Sequence, residues 1–141
     1  MSDVRLDAIA KELELDMAAF KRIRVSKDAQ VQVEADTFLA STANIDGTPS
    51  FLINGRLVVG AVPFANFQTV IGAELAKVDV KINEGKSVMQ ARGEVSEFNM
   101  KKTLAPDGGG VESLIKVDIE GAPGKGAKDP LVAIVEFSDF Q

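Results

Sequence analysis

A chain of 141 residues, 45% of them hydrophobic and 26% charged, has the apolar material for one core of ordinary domain size. Its net charge of −5 lacks the basic footprint of a nucleic-acid binder, and no apolar run approaches the roughly 20 residues of a membrane span. Cysteine and histidine counts are both zero. This removes thiol chemistry by the chain itself, because the thiolate is the nucleophile of disulfide exchange. It also removes Ser-His-Asp and Cys-His catalysis and the two residue types on which zinc sites chiefly rely.

The first 44 residues read as helical. Ser2 to Glu14 is charged and helix-forming, unlike the basic and then apolar pattern of a signal peptide. Ser2 or Asp3 can cap a helix whose apolar stripe is Leu6, Ile9, Ala10 and Leu13. Asp16 is placed to cap a short helix carrying Met17, Phe20 and Ile23. Ser26 caps a third helix, marked by Val31, Ala35, Phe38 and Leu39 and expected to stop near Ala43. Asn44 suits the left-handed conformation of a helix end.

Two short β-prone runs follow, Ser50 to Ile53 and Arg56 to Val59, joined by Asn54-Gly55. Asn-Gly between apolar runs is a strong hairpin signal, since a type I′ turn needs φ > 0 at both central residues. Gly60 ends the second run, and Pro63 suits the first position of a helix. Phe64, Phe67, Val70, Ile71 and Leu75 recur at helical spacing, predicting a helix over Phe64–Ala76 that Gly72 interrupts and that continues toward Asp79.

Patterning then weakens. Val80 to Leu104 suggests one or two loosely packed helices with Gly85 and Gly93 as breaks. Ala105 to Gly110 has a linker composition. Leu114 to Ile119 alternates as a strand, and Glu120 to Pro130 is too rich in Gly and Pro for anything but a loop. Leu131 to Phe137 is nearly continuous in apolar residues, as in a strand buried on both faces. Phe51, Phe64, Phe67 and Phe137 are expected in the core, and acidic residues outside this last strand on a solvated surface.

The string Gly-Thr-Pro-Ser-Phe-Leu-Ile-Asn-Gly from Gly47 to Gly55 resembles the corresponding stretch of DsbA-like thiol–disulfide oxidoreductases, which have a thioredoxin fold. The helices leading into it resemble that family's helical insertion. A second string, Val-Glu-Phe-Ser-Asp-Phe-Gln from Val135 to Gln141, resembles the family strand that precedes its Cys-Pro-x-Cys. The two matches stand in reversed order. They imply an α/β chain with a partial or permuted thioredoxin-like fold, helices packed on a small mixed sheet. Residues 1–79 would be the C-terminal half of one domain, 80–113 a weakly helical linking region, and 114–141 the opening strands of a second domain, able to complete the first sheet.

The resemblance also assigns roles. Thr48–Pro49 is expected to be a cis peptide bond, and Gly47, Thr48 and Pro49 would form a loop whose main chain pairs with an extended peptide by strand addition. Glu136 matches a family acid that lies beneath the disulfide and helps move protons. A carboxylate in an apolar strand is costly unless paired or protonated, so Glu136 is expected to face inward, with Val135 and Phe137 as the alternative inward set. The implied partner is an extended peptide or a thiol-bearing protein, with no nucleic acid, membrane, cofactor or metal, in a periplasmic or other extracytoplasmic setting. In the thioredoxin fold the strand before the cysteines lies antiparallel to the strand after the cis-proline. Leu131–Phe137 is therefore expected beside Ser50–Ile53, within one chain or by strand exchange in a homodimer. The functional expectations are a segment of an oxidoreductase that is inactive alone, or a redox-dead peptide-binding or assembly module.

Overall fold

The computed structural model describes residues 2–105 and 122–139. Three helices come first: α1 (Asp3–Glu12), α2 (Met17–Arg24) and α3 (Lys27–Thr42). The Asp16 carboxylate accepts from the N–H groups of Ala18 and Ala19 at 2.9 and 3.0 Å. Ser26 Oγ accepts from Ala29 N–H at 3.1 Å. Each bond satisfies an N–H that the first helical turn leaves free. Ser2 occupies the N-cap of α1 without a side-chain bond. Asn44 closes this helical arm at φ 57°. The arm buries little: α3 has no fully buried residue, and Phe38 is 71% exposed.

The chain then forms the hairpin of β1 (Ser50–Ile53) and β2 (Arg56–Val59), followed by α4 (Phe64–Asn83), α5 (Val88–Leu104) and β3 (Ile134–Phe137). The sheet order is β2-β1-β3. Both pairings are antiparallel, with Ser50 opposite Val59 on one side and opposite Phe137 on the other. The protein is thus α/β with helices on a small sheet, and every pairing among the described residues is antiparallel. The expected strand at 114–119 and the linker around Gly108 lie outside the described residues.

Side-chain alternation divides the sheet into two faces. Leu52, Leu57 and Val135 share one face and pack with Ala43, Ile45 and Met100. Phe51 lies on the other face, its ring edge-on to Phe67 of α4 at 4.9 Å between centroids. A second apolar cluster, Val78, Ala91 and Val95, joins α4 to α5 and takes in Leu131 from the lead-in to β3. Burying one such aliphatic side chain is worth about 1.5–3 kcal/mol.

Several expectations change. Pro63 is the N-cap of α4, one position earlier than expected, and α4 passes through Asp79 to Asn83 without a break at Gly72. Gly85, at φ 90°, does follow its end. Gly93 breaks nothing, because it lies inside the 17-residue α5. Ser87 starts α5 with a capping box: its Oγ accepts from Gln90 N–H while the Gln90 side chain accepts from Ser87 N–H. The buried stripe of α5 is Ala91, Val95, Asn99 and Met100. One small and one polar residue in that stripe hide its helical period. Phe64 is 73% exposed rather than in the core, and Phe67 is the α4 aromatic that packs on Phe51 of the sheet.

Candidate functional site

The Thr48–Pro49 peptide bond is cis. It lies between α3 and β1, and two bonds fix its geometry. Ser50 Oγ, fully buried, donates to Gly47 O at 2.6 Å. Gly60 N–H donates to Pro49 O at 2.8 Å. Gly47 and Thr48 are exposed, and neither the N–H nor the C=O of Thr48 has a partner among the described residues. The three loop residues are thus adjacent, exposed on one side and anchored on the other. Such main chain is free to pair with an extended segment.

The antiparallel register sets Phe137 across from Ser50, so β3 runs toward Pro49. Glu136 sits opposite Phe51 and is exposed. The inward expectation for Glu136 is therefore corrected: Val135 and Phe137 are the half-buried pair, packed against the Leu52 cluster. Strand period alone cannot tell which of two interleaved sets faces the core, and a one-residue shift exchanges them. The expectation that β3 is buried on both faces falls with it, because Ile134 is also exposed.

The buried carboxylate is elsewhere. Glu74, on α4, is completely enclosed, contrary to the expected solvated surface for the remaining acids. Lys77 Nζ donates to Glu74 Oε1 at 2.7 Å and to Asn99 Oδ1 at 3.0 Å. Asn99 Nδ2 donates to Glu74 Oε2 at 2.6 Å and to Asn54 O at 2.8 Å. Arg56 Nη1 approaches Glu74 Oε1 at 3.8 Å. A buried charge needs this density of partners, since desolvation would otherwise disfavour it by several kcal/mol. No buried side-chain N or O among the described residues lacks a partner.

This network holds the Asn54-Gly55 turn. Gly55 has φ 77°, and a Cβ there would stand 2.6 Å from Ser96 O and 2.8 Å from Met100 Cγ. The turn needs glycine both for its backbone conformation and for the close approach of α5. Asn54 also turns its side chain to the segment entering β3. Its Nδ2 donates to Leu131 O at 3.1 Å, and its Oδ1 accepts from Ala133 N–H at 2.9 Å. The sequence marks Asn54 and Gly55 as a turn. It gives no sign that Glu74, Lys77 and Asn99 converge on them.

A surface ion-pair cluster links α4 to the start of α5. The Lys86 ammonium, hydrogen-bonded to Glu94, holds that carboxyl below its usual range. A hydrogen bond to Glu84 raises Lys81. No group of His, Cys, Asp and Glu among the described residues is arranged to hold a metal. Chemically, the site has main chain able to pair with an extended chain, and it holds no thiol.

A family model for the DSBA-like thioredoxin domain matches residues 1–72, just over half of the 141. The match includes Gly47, Thr48, Pro49 and the hairpin, and it stops two residues before Glu74. No curated protein and no solved structure matches the chain.

Proposed function

Since the chain belongs to the DsbA-like thioredoxin-domain family, we propose that it is a segment of a thiol–disulfide oxidoreductase that has no redox activity by itself and keeps the peptide-binding part of the work. The register of β3 carries this reading. β3 runs antiparallel to β1 with Phe137 opposite Ser50. The strand that resembles the family's lead-in to Cys-Pro-x-Cys is therefore directed at Thr48–Pro49, the place where a disulfide and the cis-proline loop would face each other.

Gly47, Thr48 and Pro49 bind the extended substrate in this reading. The exposed main chain of Thr48, which has no partner among the described residues, supports that role, because strand addition draws its affinity from main-chain hydrogen bonds. The substrate is an extended peptide or a thiol-bearing protein. The setting is extracytoplasmic, where disulfides persist. Glu136 stands on the exposed face of β3 in this segment, so its proton-handling role requires a covering element. No cofactor or metal enters the scheme.

A second reading, a redox-dead peptide-binding or assembly module, rests on the same Thr48 main chain together with the zero cysteine count. One measurement tests both readings and a second separates them. The purified 141-residue chain should show no insulin reduction and no oxidation of a dithiol peptide; thiol-dependent turnover would overturn both. The codons after Gln141 in the parent gene then decide between them. Cys-x-x-Cys supports the oxidoreductase segment, and a stop codon supports the redox-dead module.

A further inference from the structure

β3 is held more by main chain than by side chains. No residue between 122 and 139 is fully buried; Val135 and Phe137 are half-buried, while Ile134 and Glu136 are exposed. Four bonds clasp the approach to the strand. Asn54 N–H donates to Ala133 O at 3.0 Å, and Ala133 N–H donates to Asn54 Oδ1 at 2.9 Å. Asn54 Nδ2 donates to Leu131 O at 3.1 Å, and Arg92 Nη1 donates to Pro130 O at 2.6 Å. On the strand's side every group in these bonds is main chain.

The receiving side is built without the strand. The Asn54 carbonyl is fixed by Asn99, Asn99 by Glu74, and Glu74 by Lys77. These groups, the β1 edge and Arg92 all lie between residues 50 and 99. Asn54 sets the register, because it is where main chain and side-chain amide act together. Three apolar positions add selectivity. Leu131 packs on the Val78–Ala91–Val95 cluster, and Val135 and Phe137 pack on the Leu52 cluster. The chain from residue 105 to residue 130 can reach roughly 80 Å when extended.

We propose that the β1 edge with Asn54 is an exchangeable strand socket, and that the partner it accepts is the Pro130–Phe137 segment of a second copy of this chain. Each copy carries one socket and one strand that fits it, so reciprocal exchange closes into a two-fold dimer using contacts already present in one chain. A strand without a fully buried side chain opens at lower free energy than the core. The exchanged form is then favoured by protein concentration.

The absence of cysteine makes the test clean. Asn54 and Ala133 form a hydrogen-bonded pair, so the alternating pairs Phe51–Glu136 and Ile53–Ile134 are the close, non-hydrogen-bonded ones, with Cα atoms about 4.5 Å apart. That spacing suits a disulfide. A full-length chain carrying both Phe51→Cys and Glu136→Cys should close an intrachain disulfide, which shows that the variants fold in register. Chains carrying Phe51→Cys alone and Glu136→Cys alone are then mixed at high concentration under mild oxidation. The expected result is a disulfide-linked heterodimer whose yield rises with concentration and exceeds that of an Asp28→Cys control at least tenfold. Asn54→Ala in both chains should reduce the yield severalfold. If Asn54→Ala does not fold, Arg92→Ala should produce a reduction in the same direction. An intrachain disulfide in the double variant without heterodimer in the mixture overturns the proposal, as does a yield equal to the Asp28→Cys control.

Discussion

Asn99 Nδ2 donates to the carbonyl of Asn54 at 2.8 Å, fastening α5 to a hairpin turn that lies 45 residues earlier in the chain. The same amide holds Glu74 at 2.6 Å, so one side chain ties together α4, α5 and the sheet. Asn99→Ala removes both bonds, leaving a buried carbonyl and a buried carboxylate oxygen short of a donor. The expected cost is about 2–3 kcal/mol, read from urea unfolding at neutral pH. A loss below about 0.5 kcal/mol would be that of a surface substitution and would show that the network does not brace the fold.

Gly55→Ala is expected to destabilise by more than Gly60→Ala, although both glycines have positive φ, 77° and 86°. Left-handed backbone costs an alanine about 1 kcal/mol at either site. Only at position 55 does the added Cβ also meet a backbone oxygen at 2.6 Å; at position 60 it meets nothing within 4 Å. Thermal unfolding of the two variants measures the difference. Equal losses would mean that α5 does not approach the turn so closely.

Gly72 and Gly93 lie inside α4 and α5, and a Cβ at either meets nothing within 4 Å. Alanine at each should stabilise by about 0.5–1 kcal/mol, since glycine is the weaker helix former and the space is open. A higher melting temperature for each variant is the expected readout. A decrease at position 93 would return that glycine to the role of a helix break.

Much of this architecture is legible in the residues. Asp16, Ser26 and Asn44 mark helix limits because local hydrogen bonding and left-handed backbone favour few residue types. Asn54-Gly55 marks the hairpin for the same reason. The pairing of Ser50–Ile53 with the C-terminal strand followed from the family resemblance, and the structure contains it. What the sequence conceals is non-local. Glu74 looks like one more surface acid until Lys77, Asn99 and Arg56 surround it, two of them on other elements. The buried side of α5 passes unnoticed because Asn99 interrupts its apolar stripe. Glu136 and Val135 are equally good candidates for the inward position until the register is known, and the register depends on Asn54 and Ala133.

The ion pairs between α4 and α5 should respond to pH in opposite directions at its two ends. Glu94 is held low by its hydrogen bond to Lys86, so its contribution is present above the ordinary carboxylate range and is lost as pH falls through the depressed value. Lys81 is held high by Glu84, so its contribution is complete below the ordinary lysine value and is lost as pH rises through the raised one. Both groups meet solvent, so the effects are small and screened by salt. Glu94→Gln should lower the melting temperature slightly at pH 7 and low salt. The difference should shrink at high salt and as the pH falls toward 3. A difference independent of both would place the effect in packing.

The account depends above all on β3 lying antiparallel to β1, which completes the sheet and directs the strand at Thr48–Pro49. Nuclear Overhauser contacts between the Hα protons of Phe51 and Glu136, and of Ile53 and Ile134, test this most directly, because close non-hydrogen-bonded pairs bring these protons together. The account predicts both contacts, together with slow exchange of the Asn54 amide hydrogen bonded to Ala133 O. Intact β1–β2 hairpin contacts, with neither cross-strand contact and a rapidly exchanging Asn54 amide, would contradict it.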